Sequence, residues 1–201
     1  MKTLLAALAL VLPLAAAAQT KITETFVETP TLDWEEYADK QGSALVQSGY
    51  IELKSLVRDR FATILTELPV FTDYDFKLSA RLLVPKIDDT NRFGILIDRS
   101  ENFDTCLFLL KEEYFGCFVY NNGKEVSGWT ERTKLKGGKN RTVEIVLERK
   151  AGRYIFTVNN MEIFRLRRPM NDPIFGFYTE NESSIRIEEF TVEQDYDGSE
   201  G

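Results

Sequence analysis

Histidine is absent from this 201-residue sequence. That absence removes Ser-His-Asp and Cys-His nucleophilic machinery, together with histidine-ligated zinc or non-haem iron. Any chemistry has to run on carboxylates, lysine, tyrosine or a hard cation. Cysteine is scarce as well: Cys106 and Cys117 are the two thiols, they are not spaced as Cys-x-x-Cys, and no soft ligand lies nearby. A redox motif or a thiolate metal site is therefore disfavoured. There is no Pro/Gly/Ser-rich linker, no internal repeat and no low-complexity run, so the chain reads as one domain. Basic excess is missing too. The formal net charge is −7, with 25 Lys plus Arg against 32 Asp plus Glu, which argues against nucleic acid as a partner.

One apolar run stands out, at the start. In "MKTLLAALALVLPLAAAAQ" a single Lys2 precedes apolar residues from Leu4 to Leu14 and then small residues. This is the pattern of an export signal, with Ala16 to Ala18 predicting cleavage before Gln19. The expected organisation is a signal peptide over 1–18, a single β-sandwich domain over 19–194 and an acidic tail over 195–201. No later stretch is long and apolar enough for a membrane helix, and no cysteine follows the run to carry a lipid. The chain is expected outside the cytoplasm, periplasmic or extracellular, with no membrane span.

After that leader the apolar period is two. In "DYDFKLSARLLV", Tyr74, Phe76, Leu78, Ala80, Leu82 and Val84 alternate with polar residues, placing the apolar set on one face of a strand. The same spacing selects Phe93, Ile95 and Ile97, then Val143, Ile145 and Leu147, then Tyr154, Phe156 and Val158. Tight hairpins are expected at "NNGK" (121–124) and around Asn159 and Asn160. A phase change in "SIRIEEFTVE" predicts a bulge near Glu188 and Glu189. "LDWEEYADKQG" is a candidate for a single helical turn. About a dozen antiparallel strands in one domain make the fold all-β, two sheets packed face to face or a barrel.

"TCLFLL" and "YFGCFVY" read as two such strands joined by "KEE". A turn centred on Lys111 and Glu112 would set Cys106 directly opposite Cys117 on one face, close enough for a disulfide after a slight pinch. In an oxidising compartment that cross-strand staple is expected; two buried free thiols are the alternative.

The succession "FKLSARLLV", "NRFGILIDRSENFDTCLFLL", "YFGCFVYNNGKEVSGWTE", "KGGKNRTVEIVLERKAGRYIFTVNNMEIFRL" and "PIFGFYTENESSIRIEEFTVE" resembles the concanavalin A-like lectin/glucanase superfamily. It is nearest in pattern to the laminin-G-like and 3-keto-disaccharide hydrolase-like modules exported by bacteria, over Ile22 to Gln194. The resemblance implies a two-sheet antiparallel jelly-roll sandwich, a fold often used to bind glycans. Retaining β-glucanases of the superfamily carry acidic residues at alternating positions of one strand. Here Glu189 and Glu193 are interrupted by Thr191 and read as a solvent face, and Asp88 and Asp89 read as a turn. No catalytic residue is assigned.

Sugars are held by aromatic faces beside convergent polar groups. Trp129, Tyr120, Asp98, Arg99 and Glu131 are the candidates for such a site. Trp34 reads as a plug over the sandwich edge, and Arg165, Arg167 and Arg168 as a solvated strand end. No cofactor and no metal site are implied; "DYDG" has too few ligands for calcium, and calcium held by loop carbonyls stays open. Asn140 and Asn181 open glycan-acceptor triplets that matter only in a eukaryotic secretory route. Three readings follow. The first is an exported non-catalytic module binding a glycan or envelope polysaccharide. The others are a structural domain for a protein partner and a carbohydrate-active hydrolase of the keto-sugar type.

Overall fold

The computed structural model describes residues 18–70, 75–100, 104–169 and 171–196. Among these residues the chain forms fifteen strands and no helix. The first seven are β1 (Ala18–Glu24), β2 (Tyr37–Ala38), β3 (Gly42–Gln47), β4 (Tyr50–Ser55), β5 (Phe61–Glu67), β6 (Phe76–Ile87) and β7 (Phe93–Ile97). Then come β8 (Thr105–Lys111), β9 (Tyr114–Asn121), β10 (Lys124–Arg132), β11 (Gly138–Lys150), β12 (Arg153–Val158), β13 (Met161–Arg167), β14 (Ile174–Glu180) and β15 (Ser184–Tyr196). A nine-stranded sheet runs β13-β12-β11-β6-β15-β4-β3-β2 with β1 alongside β15, and a six-stranded sheet runs β10-β9-β8-β7-β14-β5. All pairings are antiparallel, and the two sheets make a jelly-roll sandwich.

Period-two patterning explains which faces meet. Phe76, Leu78, Ala80, Leu82 and Val84 of β6 are buried while Lys77 and Arg81 are exposed. Tyr74, assigned to the same strand from its spacing, lies outside the described residues, as do residues 1–17 of the expected leader and Asp197. Phe108, Phe115 and Phe156 stack with centroids 5.0–6.4 Å apart across the sandwich. A second cluster sets Trp34 against Phe177 at 5.9 Å and Phe190 at 5.5 Å. Trp34 is only 6% exposed, which is the plug expected of it. Truncating one such ring to alanine typically costs about 3–5 kcal/mol.

The helical turn expected around Trp34 is absent. That segment runs extended instead, because Tyr37 and Ala38 pair with Ala44 and Ser43 as β2 and the Glu35 amide donates to the Leu65 carbonyl. Hairpin chemistry agrees better with expectation. Asn122 (φ 49°) and Gly123 (φ 70°) turn β9 into β10, and Asn159 (48°) and Asn160 (62°) turn β12 into β13, all in the left-handed region that Asn and Gly tolerate. The bulge falls between Ile187 and Glu189. There β15 keeps β6 on one side and exchanges β4 for β1 on the other.

The cysteine register is corrected. Lys111 pairs with Tyr114 across a Glu112-Glu113 turn, so Cys106 faces Val119 and Cys117 faces Phe108. The thiols are diagonal neighbours on the core side, free and fully buried, with Sγ atoms 3.9 Å apart. A slip of two residues preserves which face every side chain occupies, so alternation cannot choose between the two registers. Tertiary contacts choose. The Glu112 amide donates to the Asp88 carbonyl, the Glu113 amide to the Leu135 carbonyl, and Thr133 returns a bond to the Glu113 carbonyl.

Candidate functional site

The six-stranded sheet is apolar on both sides. Its inner face carries Phe93, Ile95, Phe108, Phe115, Phe175 and Phe177 into the core. Its outer face carries a second cluster, Leu96, Leu107, Leu109 and Tyr178, with Leu65, Phe118 and Tyr120 against it. Strand register arranges this outer face in rows. One row crosses Leu65, Gly176, Leu96, Leu107, Phe118 and Gly128; the next crosses Thr63, Tyr178, Gly94, Leu109, Gly116 and Thr130.

Two of these glycines make room for one ring. A Cβ on Gly116 would meet Phe118 at 2.4 Å and one on Gly128 would meet the opposite edge of the same ring at 2.8 Å. Phe118 therefore lies across both glycines and forms a platform on the sheet. On β5, Phe61 is 61% exposed and stacks on Tyr178 at 5.8 Å.

Two hollows flank these rings. A pocket of about 290 Å³ is lined by Phe61, Leu96, Leu107, Tyr120 and Tyr178, with Thr63, Thr105 and Arg99 among its polar groups. A larger cleft of about 590 Å³ lies beside Leu109 and Phe118 and is bordered by Arg58, Arg92 and Lys111 with Asp59, Asp89 and Glu182. Between the hollows Glu180 is 8% exposed. Its carboxylate accepts from Tyr178 Oη and pairs with Arg92 Nε, and Asn181 Nδ2 donates to it at 3.1 Å. Burial, followed by the bond to Glu180, pushes the Tyr178 phenol well up; burial and then Glu125 raise Tyr120. Both phenols stay protonated around neutrality, and Tyr178 donates its hydrogen bond to the Glu180 carboxylate.

Sequence candidates divide between two sides of this sheet. Tyr120 and Arg99 come together at the 290 Å³ pocket. Trp129 pairs with Cys117 and Glu131 with Phe115, so both side chains belong to the inner side of β10, at the rim. Trp129 is 42% exposed and tilts against Phe164 of β13 at 5.7 Å. Asp98 is buried at one end of the sandwich. Its carboxylate accepts from Arg168 Nη2 at 2.6 Å and from the amides of Asn171 and Asp172 at 2.7 and 2.9 Å. Arg168 is thereby withdrawn from the solvated strand end to which its sequence neighbourhood assigns it. Phe61, Phe118 and Leu107 were not candidates from sequence; the two-sided apolar runs "TCLFLL" and "YFGCFVY" were the available signal for Leu107 and Phe118, and nothing local marked Phe61.

Three of the four carboxylates considered for acid/base work from sequence have structural partners, and the fourth, Asp89, borders the larger cleft. Glu189 pairs with Arg81 and Glu193 with Lys21 on the nine-stranded sheet. Asp88 accepts from the amides of Thr90 and Asn91 and caps the turn before β7. On the described outer face no strand presents carboxylates at alternating positions. Among the described residues no three Cys, Asp or Glu side chains are grouped to hold a metal ion. Of the glycan-acceptor asparagines, Asn140 is exposed, whereas the Asn181 amide binds Thr90, Glu180 and Asp59.

No protein-family model and no curated protein sequence matches the chain. Solved structures do match. The Bacillus licheniformis β-glucanase superposes with a TM-score of 0.61 at 10% identity, covering 86% of this chain and 97% of that one. The carbohydrate recognition domain of Emp47p gives 0.60 at 12%, covering 85% and 93%. The carbohydrate-binding module CBM66 from Bacillus subtilis gives 0.54 at 11%, covering 77% and 91%. At these identities the likeness establishes architecture and leaves activity to the site. The chain has the concanavalin A-like jelly-roll fold.

Proposed function

We propose that this protein is an exported, non-catalytic module that binds carbohydrate on the outer face of its six-stranded sheet. The observation that carries the reading is the exposed Phe61 ring stacked on Tyr178 beside a pocket edged by Thr63, Thr105, Tyr120 and Arg99. Sugar rings present C–H faces to aromatic rings and hydroxyls to such polar edges. The similar structures named as carbohydrate recognition or binding domains support the reading by analogy. The non-catalytic part draws on Glu180, whose carboxylate is already engaged by Arg92 and Tyr178.

A glycan array probed with residues 19–201, with and without calcium, tests this. Binding that Phe61→Ala and Tyr120→Ala remove and Trp129→Ala leaves intact is the expected result. A blank array with folded protein would overturn it. A second reading, an apolar protein segment on the same face, draws on the leucine floor of Leu65, Leu96, Leu107 and Leu109. It would be supported if a blank array coincided with capture of a defined partner that Phe61→Ala abolishes.

A further inference from the structure

We infer that the pocket between Phe61 and Tyr120 selects a sugar bearing an acetamido group, the inference resting on the carbohydrate reading of this face. Its floor is made by Leu96 and Leu107, which face each other directly across β7 and β8. Neither side chain can bond a hydroxyl, so a plain sugar hydroxyl set on this floor exchanges water for hydrocarbon and loses affinity. A methyl set there gains instead, by roughly fourfold for the apolar area it buries.

Thr105 supplies the polar half of the match. Its hydroxyl donates to the Ile97 carbonyl at 3.1 Å, so the oxygen offers lone pairs and no proton to a ligand in the pocket that it lines. An acceptor beside an apolar floor suits an amide N–H whose methyl continues onto the leucines. The stacked Phe61 and Tyr178 rings form the wall for the pyranose face. At about 290 Å³ the hollow sits at the small end of ligand pockets, the size for one substituted ring rather than a chain.

The test is calorimetric titration with matched β-linked oligosaccharides that differ only at the 2-position, chitotetraose carrying acetamido and cellotetraose carrying hydroxyl. The full mature chain should bind the acetamido ligand about tenfold more tightly or better. Leu107→Ser should bring the ratio below about threefold, and Thr105→Val should lower acetamido binding with less effect on the hydroxyl ligand. Phe61→Ala, at an exposed position, serves as a folded variant that weakens both. Equal affinities for the two ligands would overturn the acetamido preference while leaving the carbohydrate reading standing. No binding to either, together with a blank array, would overturn both.

Discussion

Phe61 and Tyr178 stack with their ring planes 22° apart, one side chain 61% exposed and the other 7%. Tyr178 is also held by its bond to the Glu180 carboxylate, whereas Phe61 is mostly in solvent. Phe61→Ala should therefore shift stability by no more than about 0.5 kcal/mol, the usual range for surface sites. It should weaken ligand binding about tenfold. Paired thermal melts and titrations check this, and a loss of several kcal/mol would make Phe61 part of the fold.

Asp98 and Arg168 form a buried ion pair in which the Asp98 side chain is 1% exposed and that of Arg168 15%. Removing the carboxylate leaves a nearly buried guanidinium uncompensated and two loop amides unbonded. Asp98→Ala should cost about 3–5 kcal/mol, measured by urea unfolding. A change under about 1 kcal/mol would return Asp98 to the pool of ligand-binding candidates.

Tyr154 is fully buried and its hydroxyl has no hydrogen-bond partner among the described residues. Burying an unbonded hydroxyl is unfavourable. Tyr154→Phe should leave stability unchanged or raise it by about 1 kcal/mol, read from the urea midpoint. A clear loss would reveal a partner for that oxygen.

The Cys117 thiol is pushed far up by its contact with Cys106 and by burial, so the folded pair exchanges slowly with disulfide donors. Export through an oxidising compartment should close the bond before the core does. Protein recovered from an exporting host should show no titratable thiol after unfolding without reductant. Protein refolded reduced should show two, both resisting oxidation while folded. Because the pair is diagonal, closing the bond strains β8 against β9. The oxidised form should therefore gain less than a closed loop of roughly ten residues would otherwise supply, about 2–3 kcal/mol. Two thiols in the exported protein would show that the pair stays reduced, as it is in the structure.

Burial alone would raise the Asp88 carboxyl, but bonds from Lys86, the Asn91 amide and Thr90 outweigh it and hold the group well below the usual carboxylate range. A carboxyl lowered in the folded state stabilises above its unfolded value, near pH 4, and loses that contribution as pH falls from there toward the lowered value. Asp88→Ala should therefore cost about 1 kcal/mol at pH 7, and the deficit should shrink steadily below about pH 4. Denaturation curves at pH 7 and pH 2.5 measure it. A deficit independent of pH would show that packing, not charge, is lost.

Legibility in the sequence followed the reach of each signal. Alternation in β6, β11 and β12 and the Asn and Gly residues at 122, 123, 159 and 160 are local, and the strands and hairpins they predict are present. The Glu188-Glu189 bulge was legible because it breaks phase within one strand. The register of β8 against β9 was not, since a two-residue slip changes no face and is settled by carbonyls at Asp88 and Leu135. Of the site, Tyr120 and Arg99 converge, but Trp129 belongs to the inner side of β10. Parity within a strand says which residues share a face, and only pairing to a neighbour says which face that is.

By itself, then, the sequence determined an all-β chain with period-two faces, its tight turns and the absence of histidine chemistry, all properties carried by neighbours along the chain. The tertiary structure alone decided that Phe61 of β5, Tyr178 of β14 and Tyr120 of β9 share one apolar surface, because residues so far apart in the chain meet only when strand order and register are set.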